Sequence, residues 1–288
     1  MPELPEVETV RRGLLGLIVG QTVSSVEHDT PKSFPNAAAD VEAFLIGAAV
    51  TDVRRRAKVL LIDLTTEYTL VIHLKMTGQL VFRGDETFGA GHPNASLIGE
   101  LPDRSTRVTI PVSDGSHLYF NDQRKFGWMK LMPTVEVPNI DFMKKVGPEP
   151  LEADFTPEEF AERFTRRAKT SIKAALLDQT VIAGVGNIYA DESLWGAKIH
   201  PKRLVGSITP DEFSLLHTEL RAVMNKAIEK GGSTDKNYVN AEGKRGSYLD
   251  FARVFRREGQ ACPRCATTII KFKAAGRGTH ICPQCQVL

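Results

Sequence analysis

The sequence predicts an α+β chain of two domains. The first is an antiparallel β-sandwich or barrel with flanking helices; the second is helical and ends in a β-hairpin. Three observations carry this prediction. Short β-rich stretches separated by turn residues fill the first half. The hydrophobic period becomes helical in the second half. All four cysteines of the 288 residues stand near the end, as two C-x-x-C pairs.

The elements follow in order. MPELPEVETV opens a helix expected over residues 1–18. Pro5 suits a first helical turn, because its fixed backbone angle and missing N–H cost nothing there. Glu3 and Glu6 favour the positive helix end. Val7, Val10, Leu14 and Leu15 recur at helical spacing. Helix punctuation does not explain Pro2, which would become a secondary-amine N-terminus if Met1 were removed. Strands are expected at TVSSV, VTDVRRR, KVLLIDL, TLVIHLKM, RVTIPV, HLYFND and GWMKLM, and a surface loop at FRGDETFGAGHPNASLIGELPDRS. The domains are expected at 1–135 and 153–252, joined by a linker at 136–152, with a terminal module at 253–288. TPEE at 156–159 and TPDE at 209–212 both read as capping boxes with proline at the first helical position. KTSIKAALLDQ reads as a helix, and VIAGVGNIYADESLW as a glycine-broken connection entering another.

Composition narrows the function classes. A 42% hydrophobic, 25% charged chain fits a globular enzyme or binding protein. No apolar run approaches bilayer-spanning length. The acidic, amphipathic start is not a signal peptide, so a cytoplasmic location with reduced thiols is expected. The net charge of +2 is unevenly placed. Residues 241–288 hold nine Lys or Arg against three acids, leaving +6 there and −4 elsewhere. A basic module on a near-neutral body points to a polyanion, and its excess of arginine favours phosphate recognition.

Cys262, Cys265, Cys282 and Cys285 have the spacing of a four-thiolate zinc site, each C-x-x-C chelating from one turn. Disulfides or free thiols are the alternative, disfavoured in a reducing compartment. Between the pairs, TTIIKFKAAGRGTHI reads as a β-hairpin with Arg277 at its tip, flanked by Gly276 and Gly278 and placed for a phosphate or groove contact.

PELPEVE, DQRKFGW, GNIYADE, GGST and the terminal C-x2-C-x16-C-x2-C, in this order from Pro2 to Cys285, closely resemble the bacterial formamidopyrimidine-DNA glycosylase family. The resemblance implies a β-sandwich first domain and a helix-two-turn-helix second domain ending in a zinc-finger hairpin. It implies a bifunctional glycosylase and abasic-site lyase of base-excision repair. Such an enzyme removes oxidised purines (8-oxoguanine and formamidopyrimidines) from damaged double-stranded DNA. One structural zinc ion, no membrane partner and a monomeric state are expected.

By this resemblance Pro2 is the nucleophile. An α-amino group titrates near about 8 against about 10.4 for lysine, so a useful fraction is unprotonated at neutral pH. Glu3 is the expected general acid/base, Glu6 an orienting residue, and Lys58 a holder of phosphate near the lesion; a solvated strand lysine is its plainer reading. Met76, Arg124 and Phe126 would fill the gap left by a flipped nucleotide, although Met76 and Phe126 singly would more often be core. Asn187, Arg277 and, more weakly, Lys169 would bind phosphate. In the GGST loop, amides from Asp235, Lys236, Asn237 and Tyr238 would surround the extruded base. The chain departs from the family pattern at residues 83–105, at Thr77 in place of the commoner serine, and at Arg256 where glycine is usual. An endonuclease VIII-like enzyme for oxidised pyrimidines and a non-catalytic zinc-containing DNA-binding protein are the competing readings.

Overall fold

The computed structural model describes residues 1–92, 94–233 and 248–288. The chain divides into two units: Met1–Lys144 with Lys230–Ser247, and Lys145–Glu229 with Tyr248–Leu288.

The first unit begins with helix α1 (Leu4–Ile18). Leu4, Val7, Val10, Leu14 and Ile18 are buried, while Leu15, expected on the apolar face, is exposed. Two antiparallel sheets follow, with a second helix α2 (Ala38–Phe44) on the way. Strands β1 (Glu27–His28), β5 (Gly78–Arg83), β6 (Thr87–Gly91), β7 (Thr106–Pro111) and β8 (His117–Asp122) form a five-stranded sheet in the order β1-β7-β8-β5-β6. Strands β2 (Val50–Arg56), β3 (Val59–Leu64), β4 (Tyr68–His73) and β9 (Trp128–Pro133) form a four-stranded sheet in that order. Alternate residues of both sheets meet in one core. Val53, Leu60, Ile62 and Ile72 come from one sheet, Leu80, Phe82, Val108, Ile110 and Phe120 from the other, and α1 adds Val7, Val10 and Leu14. The result is a β-sandwich.

Three expectations change. TVSSV forms only isolated bridges at Thr22 and Val23. Residues 83–105 are not a surface loop: they carry β6 and a short 3-10 helix (Ala95–Leu97), with Phe88, Ala90 and Leu97 buried. The physical reason lies in α1. A Cβ on Gly13 would stand 2.1 Å from the Phe88 ring, so the bare Gly13 backbone seats that ring. Small residues in TFGAG hide the period-2 signal of the strand. Residues 134–145, partly placed in the linker, fold as a 3-10 helix (Thr134–Asn139) and α3 (Asp141–Lys145), whose Val137, Ile140, Phe142 and Met143 cover the outer face of the four-stranded sheet.

The second unit holds α4 (Pro157–Phe164), α5 (Ile172–Leu177), α6 (Asn187–Gly196), α7 (Pro210–Glu229) and the hairpin β10 (Ile270–Ala274) with β11 (Arg277–Ile281). Both capping boxes form. Glu159 N–H donates to Thr156 Oγ1 and Thr156 N–H to Glu159 Oε2, and Thr209 and Glu212 make the same pair of bonds. Between α5 and α6, Gln179 organises the two turns. Its Nε2 donates to the Leu177 and Val185 carbonyls, and its Oε1 accepts the Gly184 N–H. Among the described residues no helix is long and apolar enough to cross a membrane.

Candidate active site and nucleic-acid interface

Pro2 and Glu3 directly precede α1 and are buried, Glu3 to 3% exposure. Glu6 lies one turn into the helix. Its Oε2 accepts the Glu3 N–H at 2.8 Å, capping the helix, and its Oε1 accepts the Ser233 N–H at 2.8 Å. One carboxylate thus ties the Pro2–Glu3 turn to the start of the GGST segment. Gly232 makes this approach possible. Its φ is +88°, and an added Cβ would stand 3.3 Å from Glu6 Cγ. Asp235, Lys236, Asn237 and Tyr238 lie outside the described residues.

Lys58 stands in the tight turn between β2 and β3, after Ala57 at φ 53°. It is 5% exposed and therefore not a solvated strand lysine. His73, paired with Val59 across β3 and β4, feels it. Burial first, then the charges of Lys75 and Lys58, push the His73 pKa down to about 3, so the ring is neutral and its Nδ1 accepts the Lys75 N–H at 3.0 Å.

Met76 lies half-buried in the turn between β4 and β5, and Arg124 and Phe126 stand exposed in the turn between β8 and β9. Phe126 is 47% exposed, which a core aromatic would not be. The Arg124 guanidinium lies 4.9 Å from the Phe126 ring centre and the Lys32 ammonium 5.5 Å from it. Asp122 braces both turns. It accepts the Thr77 hydroxyl and the N–H groups of Arg124, Phe126 and Gly127. Sequence reasoning missed Asp122, whose only signal was an acid opening a turn, the position where Asp side chains accept backbone N–H groups.

In the second unit, Asn187 opens α6, and its Nδ2 donates to the Gly278 carbonyl at 2.9 Å. Arg277 is exposed and begins β11, paired with Ala274 across a two-residue tip of Ala275 and Gly276, both with positive φ. The tip is therefore Ala275–Gly276, and Arg277 is the first strand residue after it. Lys169 is exposed just before α5.

The four cysteine sulfurs lie within 4.8 Å of one another, with neighbouring pairs at 3.4, 3.5 and 4.0 Å. These separations are too long for disulfides and bracket the edge of a zinc–thiolate tetrahedron. The thiols are unequal. Thr267, through its side chain and backbone, pulls the Cys265 thiol down to about 6, whereas burial pushes Cys282 up to about 12. Four thiolates this close repel unless a cation stands among them, so the donor set fits one structural zinc ion. Arg264, inside the first C-x-x-C, ties this module to α6. It lies 3.9 Å from the Trp195 ring centre and donates to the Trp195 and Gly196 carbonyls at the helix end.

Comparison with known proteins agrees with this arrangement. Family models match at residues 1–129 (formamidopyrimidine-DNA glycosylase N-terminal domain), 146–238 (formamidopyrimidine-DNA glycosylase H2TH domain) and 259–287 (zinc finger found in FPG and IleRS). The chain is 42% identical over 287 residues to the formamidopyrimidine-DNA glycosylase of Streptococcus mutans, covering 99% of each. It is 41% identical over 288 residues to that of Chloroflexus aurantiacus, covering 100% of this chain and 98% of the relative. Among solved structures, a Lactococcus lactis FPG variant in complex with a Fapy-dG containing DNA superposes with a TM-score of 0.86 at 36% identity, covering all of both chains. The Lactococcus lactis Fpg complex with an abasic site containing DNA gives the same score and identity over 99% of this chain. The sandwich opened by Pro2, the paired turns around Gln179 and the four-cysteine hairpin module are thus the three parts of one known architecture, and the chain belongs to the formamidopyrimidine-DNA glycosylase family, an enzyme family of DNA repair.

Proposed function

We propose that the protein excises oxidised purines from duplex DNA through a covalent intermediate on Pro2 and then nicks the abasic site. The observation that carries this reading is the joint placement of Pro2, Glu3 and Glu6 at the start of α1, with Glu6 bonded both to the Glu3 N–H and to the Ser233 N–H. Removal of Met1 makes Pro2 a secondary amine. Its nitrogen lone pair attacks C1′ of the flipped nucleotide, and the C1′–N bond breaks as the base leaves with its electron pair and gains a proton. Glu3 supplies a proton to the sugar ring oxygen as the ring opens, leaving an iminium between Pro2 and C1′. This cation withdraws electrons from C2′. Loss of the C2′ proton expels the 3′ phosphate, and a second elimination expels the 5′ phosphate.

Lys58 holds a phosphate beside this centre. Met76, Arg124 and Phe126 fill the vacated stack, the two turns that carry them being held by Asp122. Asn187 and Arg277 hold the DNA backbone through the helix start and hairpin. Lys169 adds a weaker contact, and the backbone of 235–238 reads the extruded base. Cys262, Cys265, Cys282 and Cys285 would hold one zinc ion, which would tie the two C-x-x-C turns together and supply no chemistry to the reaction. The acting form is a cytoplasmic monomer.

Borohydride trapping on a duplex with an abasic site tests the reading. The parent enzyme is expected to crosslink, and Pro2→Gly or a chain with a blocked N-terminus is expected to lose the crosslink. Full trapping by the blocked chain would overturn the assignment. The lesion panel should include an oxidised pyrimidine, because a Lactococcus lactis structure was solved with an oxidized pyrimidine containing DNA. Excision of 8-oxoguanine well above that lesion is the expected order.

A further inference from the structure

Lys173 lies on α5 with no exposed surface, so it has no access to a DNA phosphate. Its ammonium donates to Asp191 Oδ1 of α6 at 2.6 Å and to Thr279 Oγ1 of β11 at 2.7 Å, with the Gly278 carbonyl 3.5 Å away. Asp191 reaches the same strand with its other oxygen. Oδ2 accepts the His280 N–H at 2.9 Å and faces His280 Nδ1 at 3.1 Å. The Thr279 hydroxyl in turn donates to the Arg277 carbonyl at 3.2 Å, and Asn187 Nδ2 donates to the Gly278 carbonyl at 2.9 Å. Four consecutive hairpin residues, 277–280, are therefore bonded to α5, to α6 or to each other, around the buried Lys173–Asp191 pair.

A two-stranded hairpin is marginal by itself, and its cross-strand register does not fix the direction in which its first residue points. A buried ion pair is also a poor device for stability alone, since apolar residues of similar volume commonly replace one without loss. What the pair supplies here is a tie: Lys173 holds the Thr279 hydroxyl, and that hydroxyl holds the Arg277 carbonyl.

We infer that Lys173, Asp191 and Thr279 are positioning residues that aim Arg277 at a DNA phosphate, acting through the backbone of β11 and never touching the nucleic acid. The inference rests on the phosphate role proposed for Arg277.

The test is fluorescence anisotropy of the full zinc-loaded chain on a duplex carrying a tetrahydrofuran abasic analogue, titrated at several salt concentrations. Thr279→Val keeps the side-chain shape and the ion pair but removes the hydroxyl. It is expected to weaken binding about tenfold and to lower the slope of log affinity against log salt by about 0.9, the loss of one phosphate contact. Zinc should stay at one ion per chain. Lys173→Met alone would leave Asp191 charged and buried without its ammonium partner, so the paired replacement Lys173→Met with Asp191→Leu is the second variant, with the same losses expected. Adding Thr279→Val to Arg277→Ala should cost nothing further, because the contact is already gone. A lowered melting temperature with an unchanged salt slope in both variants would reduce the network to fold support and overturn the inference. A weakened Arg277→Ala beside an unchanged Thr279→Val and paired variant overturns the positioning role alone. An unchanged Arg277→Ala overturns the phosphate role itself, and this inference with it.

Discussion

Thr77 donates its hydroxyl to Asp122 Oδ1, joining the turn that carries Met76 to the turn that carries Arg124 and Phe126. Asp122 Oδ2 accepts the Phe126 and Gly127 N–H groups at 2.8 and 2.7 Å, so the carboxylate has donors on both sides. The Thr77 hydroxyl supplies this bond, as a serine hydroxyl at the same position would. Asp122→Asn would turn an NH2 toward one set of those donors. The expected outcome is a loss of about 1–3 kcal/mol in stability and about ten- to a hundredfold in excision, since the side chains on both turns lose their aim. Single-turnover excision of 8-oxoguanine opposite cytosine and opposite adenine checks this. Arg124→Ala should narrow the gap between the two, because a guanidinium offers only donors and suits the O2 and N3 acceptors of cytosine. An unchanged ratio in Arg124→Ala would remove Arg124 from the discrimination.

Glu3→Gln should lose base excision far more than cleavage of a preformed abasic site. Excision needs a proton at the sugar as the base departs, whereas the abasic site arrives without its base. Parallel assays on the two substrates decide the matter, and equal losses would make Glu3 structural.

Cys262→Ala removes one thiolate from the tetrahedron. Cys262 packs with Trp195, Val254, Ile269 and Cys282, so the module loses both its metal and part of its core. Zinc assayed by atomic absorption should fall below stoichiometric, and duplex binding should weaken by at least about tenfold. A variant with full zinc content would exclude this ligand set. Chelation of zinc from the parent should reproduce the binding loss.

Arg256 adopts a φ of +58°, in a turn where the Arg257 N–H donates to the Val254 carbonyl at 3.1 Å. A left-handed backbone is costly for a side chain with a Cβ and free for glycine. Glycine, the residue that the family resemblance leads one to expect here, would adopt this backbone without strain. Arg256→Gly is expected to stabilise the protein by about 0.5–1 kcal/mol, a rise of about 1–4 °C in melting temperature. A lowered melting temperature would show that contacts of the Arg256 side chain outweigh the backbone strain.

Glu8 pairs with Arg11 and Arg12 within α1 and links the helix to β2 through Arg55. Burial works to raise its pKa, but the hydrogen bonds from Arg11 and Arg12 and the charges of Arg11 and Arg55 outweigh it and hold the carboxyl at about 2, against 4.5 for the free group. A folded pKa below the unfolded one contributes stability that is present above the unfolded value and lost as pH falls toward the folded one. The stability gap between the parent and Glu8→Gln should therefore be widest above pH 4.5 and close as pH falls toward 2. Urea unfolding at a series of pH values measures it, and a gap independent of pH would exclude the charged carboxylate as its source.

The sequence by itself determined the features that local chemistry dictates. The helix start at Pro5, both Thr-Pro-acid-Glu capping boxes, the terminal hairpin and the clustering of four cysteines were all legible, because each depends on residues a few positions apart. The order of motifs from Pro2 to Cys285 was legible for the same reason. Only the tertiary structure decided how small or polar residues are used at a distance. Strand β6 was invisible because its glycines and alanine carry little hydrophobic signal, and only the seat at Gly13 shows where Phe88 is buried. Nothing local marks Lys58 or Lys173 as buried, yet both are, since burial of a charge depends on partners that the fold brings from elsewhere. Asp122, Asp191 and Glu6 acquire their roles in the same way. Each carboxylate has more than one acceptor site, and the donors that fill them come from segments separated in the chain, which no local pattern encodes.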